Sequence, residues 1–261
     1  MTETLSLRAK IEQSPMGAYQ WMIVVMAAIM NLLDGFDVLA LAFTATAIRG
    51  EFGLTGIELG YLLSAGLFGM TAGSLFLAPL ADKIGRRPLL LMAVSLSAIG
   101  MLGSAFISQY QWLGFWRVIT GLGVGGILVG TNVITSEYSS RKWRSFAISV
   151  YAAGFGIGAV LGGMFAVMLQ GEYGWRSVFL AGAILTGLLL VVLFIWLPES
   201  IDFLTSKQPK NAEVRLNLIA KKIGLAGDWK LPAKTEKVKT KLPISQLFSE
   251  KYLHSTLLIW T

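Results

Sequence analysis

Polar and apolar residues do not alternate along this chain but come in blocks. Six apolar stretches, at 21–47, 59–80, 89–107, 112–135, 146–169 and 177–197, are separated by short polar connectors. A bilayer core of about 30 Å needs about 20 apolar residues as helix, and each stretch meets that need. Hydrocarbon offers the backbone no hydrogen-bond partners, so the stretches are predicted to be transmembrane helices. Connectors as short as Ser108-Gln109-Tyr110-Gln111 force neighbouring spans to run antiparallel. The pattern predicts an all-α membrane protein: a polar tail at 1–20, a six-helix bundle at 21–197, and a polar central loop at 198–252 rich in Lys, Pro, Asn and Glu. At 253–261 it predicts the start of a seventh helix. Nine residues cannot span, so further membrane-spanning chain, a C-terminal half, is expected beyond them.

Composition agrees: 54% of the 261 residues are hydrophobic and 14% charged, against roughly 25% charged in globular proteins. The net charge of +7 raises the question of nucleic acid, but the basic residues do not gather on one exposed face, which argues against that partner. Nineteen of the 22 Lys and Arg fall on one side of the six spans, in the tail, the 2–3 and 4–5 loops and everything after Leu197. The positive-inside rule makes that side cytoplasmic, with the N-terminus inside and the chain multi-pass in the cytoplasmic membrane. With no cysteine and a single histidine, His254, there is neither a disulfide framework nor a thiolate or His-based metal site. No nucleophile–base pair stands out, so an enzyme is not expected. Within the loop, residues 212–223 place Val214, Leu216, Leu218, Ile219 and Ile223 among basic residues. That fits a helix lying on the membrane surface or, equally, a linker with a short helix.

Two carboxylates, Asp34 and Asp37, lie deep in the first span, three residues apart and so on one helix face. Ionisable groups at that depth are costly and usually face a bundle interior or a wet cavity. Two so close resist ionising together, which suits a proton acceptor that loads and unloads. The structural alternative is an Asp bonding a helix broken at Gly35. Arg117 in the fourth span is a candidate to pair with these acids or to attract an anionic substrate; the alternative is snorkelling to the outer interface. Residues Gly121 to Gly126 spell the dinucleotide fingerprint but lie inside an apolar helix, not after a strand. Close helix packing is the better reading, as for Gly69 with Gly73 and for the four-residue ladder Gly154, Gly158, Gly162. The loop Asp82-Lys83-Ile84-Gly85-Arg86-Arg87 is read as a charge clamp between helices or as a topology signal.

At this loop the chain resembles the major facilitator superfamily. Asp82, Lys83, Gly85, Arg86 and Arg87 fit its cytoplasmic loop motif, with Ala78 where the family has Gly. The resemblance implies a gating latch, with Glu137 and Arg144 as partners of Asp82 and Arg86. Arg117 with Gly121 resembles the fourth-span motif tied to proton coupling. Trp175-Arg176-Ser177-Val178-Phe179 and Pro198-Glu199-Ser200 are similar to the borders of the sixth span in sugar porters, while Ala159 departs from the antiporter pattern. Asp34-Gly35-Phe36-Asp37 resembles the first-span signature of the aromatic acid:proton symporters, supported by Gly125-Gly126 and Ser136-Glu137-Tyr138. Val129-Gly130 stands where that family often has Pro-Asn.

The resemblance implies six-helix halves built from inverted three-helix repeats around a midplane site. It also implies proton-coupled symport of an aromatic or related organic anion, with no cofactor besides the proton. Asp34, Asp37 and Arg117 would be the coupling residues. A sugar- or polyol-type porter and an inactive truncated half are the alternatives.

Overall fold

The computed structural model describes residues 6–232. The predicted seventh-helix start at 253–261 lies outside the described residues. Among the described residues six helices are long and apolar enough to cross a membrane: α2 (Ala18–Phe52), α3 (Gly56–Ile84), α4 (Arg86–Ala105), α5 (Tyr110–Tyr138), α6 (Arg144–Tyr173) and α7 (Trp175–Trp196). They correspond one to one with the six apolar stretches. Several run past the apolar blocks, because caps rather than hydropathy end them. Gly53, at φ 64°, stops α2 in the left-handed conformation open to glycine. Thr55 then starts α3 by accepting from the Glu58 amide, while Glu58 accepts from the Thr55 amide at 2.9 Å, a reciprocal capping box.

Packing follows the implied repeat. The first span, α2, lies along the fifth, α6, and the fourth, α5, lies along the second, α3. Small residues make both contacts close. A Cβ on Gly154 or Gly158 of α6 would run into the backbone of Ala28 or Leu32, and one on Gly162 into the Phe36 ring. A Cβ on Gly69 or Gly73 of α3 would meet the backbone of Val118 or Leu122. The traffic runs both ways: Gly35 of α2 sits on the Phe155 carbonyl, and Gly121 and Gly125 of α5 sit on Gly66 and Met70. The Gly121–Gly126 run therefore serves helix contact, as its place inside an apolar block implies. The third and sixth spans, α4 and α7, close the rear of the bundle, and α3 and α6 bury the smallest share of their surfaces.

Three short helices cover the end of the bundle where the basic loops lie: α1 (Leu7–Gln13), α8 (Ile201–Lys207) and α9 (Ala212–Ile223). They differ from a purely solvated tail and loop. Leu7 and Ile11 of α1, Ile201 and Leu204 of α8, and Leu216 and Ile219 of α9 are buried in one apolar cluster with Tyr138, Leu193 and Leu197. Each short helix hides an apolar pair three or four residues apart, which average polarity conceals. At the opposite end Arg176 is neutralised: it pairs with Glu51 at 2.8 Å, and the same carboxylate accepts from the Trp175 indole at 2.6 Å.

Candidate functional site

Asp34 and Asp37 are both buried inside the bundle, and α2 continues unbroken through Gly35. Gly35 serves the approach of α6, so neither acid is needed to patch a broken helix. The Ser97 hydroxyl of α4 donates to Asp37 Oδ2 at 2.7 Å. Asp37 Oδ1 has no hydrogen-bond partner and faces Gly182 of α7. Asp34 Oδ2 is likewise buried and unpartnered. One turn toward the N-terminus, the Asn31 amide donates to the Tyr151 carbonyl of α6 at 2.9 Å. Orphaned buried oxygens are expensive unless something transient binds them.

Arg117 is 3% exposed and so does not snorkel. Its guanidinium donates to Ser104 Oγ at 3.0 Å, to Thr120 Oγ1 at 3.1 Å and, at 3.4 Å, to the backbone carbonyl of Asp37. The Phe179 ring of α7 stacks on it, with its centroid 4.8 Å from the guanidinium carbon. Four spans thus converge on one cation. Asp37 and Arg117 share a cavity of about 40 Å³, walled by Leu62 and Gly66 of α3 and by Gly121 and Val124 of α5. That admits a few waters, since one needs roughly 10–15 Å³ of such space, and is too small for an aromatic ring.

The loop motif is organised differently from the expected latch. Arg86 pairs with Asp82 at 2.6 Å, one turn away, and Lys83 is exposed. The partner of the loop is Glu199: its Oε1 accepts from the amides of Arg86 at 2.8 Å, Arg87 at 3.0 Å and Ser200 at 2.9 Å. A carboxylate therefore caps the N-terminus of α4, where the helix dipole favours negative charge. Gly85, at φ 104°, leaves the space that carboxylate occupies. Among the described residues Glu137 and Arg144 make no hydrogen bond or ion pair with the loop, although Glu137 lies within the field of Arg86. Glu137 accepts from Ser200 Oγ at 2.8 Å and from the Ile201 amide at 2.9 Å, capping α8, and Arg144 pairs with Glu12 of α1 at 2.6 Å. That guanidinium holds the Glu12 carboxyl below the usual 4.5. Motif reading noted Pro198-Glu199-Ser200 only as a span border. An acid just after a span, beside a loop whose helix lacks a capping side chain, was the available signal for its role.

A six-helix bundle with this repeat, these buried groups and this capped basic loop has close relatives. The Major Facilitator Superfamily profile matches residues 27–261. The chain belongs to that superfamily. It is 34% identical to a gallate transporter of Pseudomonas putida over 96% of this chain and 56% of that protein. It is 33% identical to the 4-hydroxybenzoate transporter PcaK of the same organism over 99% and 58%. This superfamily member thus spans a little over half the length of these curated relatives. The xylose transporter XylE from E. coli, in a partially occluded inward-open form, superposes with a TM-score of 0.69 at 22% identity, over 77% of this chain and 55% of that one. This likeness extends to the fold alone.

Proposed function

We propose that this chain supplies the N-terminal half of a proton-coupled symporter for an aromatic or related organic acid. It would sit in the cytoplasmic membrane with its N-terminus inside. The observation that carries this reading is the buried group of Asp34, Asp37 and Arg117 on the first and fourth spans. Two carboxylates each keep one oxygen without a partner at a depth where charge is costly, and Asp37 lies beside a fixed cation. Those free oxygens are the proton-loading atoms. The small cavity brings waters to Asp37 and Arg117 but has no room for the acid itself. Arg117 therefore acts on Asp37, and the substrate sits between this half and its C-terminal counterpart. Rocking of the two halves gives alternating access, with the Asp82–Arg87 loop as latch.

The likeness to gallate and 4-hydroxybenzoate transporters supports an aromatic acid as cargo. Pro198-Glu199-Ser200, the sugar-porter feature, has a structural duty here, because Glu199 caps α4. The test is uptake by the full-length protein under an imposed pH gradient. Wild type accumulates the acid, benzoate-like acids compete and sugars do not. Asp34→Asn and Asp37→Asn each abolish proton-driven accumulation while leaving the protein folded. Full accumulation in either variant removes that residue from the coupling, and competition by sugars alone removes the substrate class.

A further inference from the structure

Where α7 ends, a cleft of about 240 Å³ opens between that span and α9. Three cations line it: Arg87 from the basic loop, and Arg215 and Lys222 from α9. Among the described residues none of the three is in an ion pair, whereas Arg8, Arg86, Arg144 and Arg176 all are. Arg87 Nε is buried without a hydrogen-bond partner, although Nη2 of the same side chain donates to the Phe194 carbonyl at 2.6 Å. Lys222 lies over the Tyr19 ring, 5.3 Å from its centroid. Glu199 is the one carboxylate in the lining, and its Oε1 already accepts three backbone N–H groups. Among the described residues the cleft therefore keeps a net positive charge.

Its rim is apolar and open. Trp196, at the last turn of α7, and Leu218 of α9 are each more than half exposed. A tryptophan at a span's end marks the level of lipid headgroups, and a helix with basic and apolar residues side by side lies in that plane. Cations below, apolar side chains beside and the end of a span alongside match one kind of molecule. We propose that this cleft binds the headgroup of an anionic phospholipid of the cytoplasmic leaflet, with the phosphate on Arg87, Arg215 and Lys222 and the acyl chains along Trp196 and Leu218. The site pins α9 to the membrane surface, and its leaflet rests on the topology proposed above.

The test needs no transport. Full-length protein is reconstituted in phosphatidylcholine nanodiscs carrying a minor share of phosphatidylglycerol, and the lipid retained after detergent extraction is quantified. Wild type enriches phosphatidylglycerol, and raised salt removes the enrichment. Arg215→Gln with Lys222→Gln lowers retention by about thirty-fold, from about 1 kcal/mol per basic residue at an anionic surface. Melting in lipid-free detergent checks that this variant folds; if it does not, the wild-type salt series decides. Equal retention of both lipids, undiminished retention by the folded double variant, or insensitivity to salt overturns the proposal. Displacement of the lipid by millimolar inorganic phosphate also overturns it, because the site would then serve a soluble anion.

Discussion

The Glu199 carboxylate and the Arg86 amide, 113 residues apart in sequence, meet at 2.8 Å. This bond fastens the end of the sixth span to the start of the third. It sets the basic loop on a covered carboxylate rather than on the fifth span.

Glu199→Ala should therefore destabilise the bundle. It leaves the first amides of α4 and the Ser200 amide without their acceptor, a loss of about 1–2 kcal/mol by the measured range for removed helix caps. Glu199→Gln keeps an oxygen acceptor and should lose less. Thermal melting of the two variants in the same detergent tests the order; equal melting temperatures for Glu199→Ala and wild type would refute the capping role.

Gly156 and Gly158 share a helix and differ in surroundings. A Cβ at Gly156 meets nothing within 4 Å, whereas one at Gly158 falls 1.8 Å from the Leu32 carbonyl oxygen. Gly158→Ala should cost about 1–3 kcal/mol or more, the usual toll of overpacking against a backbone that cannot yield. Gly156→Ala should be neutral or slightly stabilising, as alanine is the better helix former. Yield of monodisperse protein and melting temperature separate the two.

Arg117→Lys keeps the charge and loses the planar fork that reaches Ser104, Thr120 and the Asp37 carbonyl together. Proton-driven uptake should fall at least about ten-fold, the effect of losing roughly 1.4 kcal/mol, with the fold intact by melting. An uptake rate equal to wild type would show that charge alone suffices at this position.

Glu12 gives a pH prediction. Its carboxyl titrates below the ordinary 4.5 because Arg144 donates to it. A depressed folded value means that the contact stabilises the docked α1 helix above pH 4.5. That stabilisation is lost as pH falls through the lower folded value. The pair is partly open to water, so the effect is modest. Protection of the α1 amides, taken relative to their intrinsic exchange at each pH, should fall below pH 4.5 in wild type and should be lower at neutral pH in Glu12→Gln. Protection that does not change with either removes the contact from the docking.

The six spans were legible because a membrane imposes one demand, an unbroken apolar run, that any window of the sequence displays. Asp34, Asp37 and Arg117 stood out for the same reason: charge inside such a run is conspicuous. The glycines of α3 and α6 were legible through their four-residue spacing. The partners of the loop were not. Whether Arg86 meets Glu137 or Glu199 depends on how the ends of the third, fourth and sixth spans converge, and no local pattern encodes that. The burial of Leu7, Ile11, Ile201 and Leu204 escaped notice because each seven-residue helix carries four polar residues against three apolar ones, so its average polarity stays that of a solvated segment.

The glycine contacts have a mechanical consequence. Where α2 meets α6 and α3 meets α5, backbone rests on backbone. At Gly35, Gly69, Gly73, Gly154 and Gly158 no long side chain stands between the backbones that could switch rotamer and let the helices slide. Each pair must travel as one stiff girder, while the cap that Glu199 places on α4 ties the third and sixth spans to each other beside them. In the transport cycle proposed above, any large displacement is pushed out to the weakly covered flanks of α3 and α6. On that proposal the bundle moves as a rigid shell, and its hinge lies at its edge, not within it.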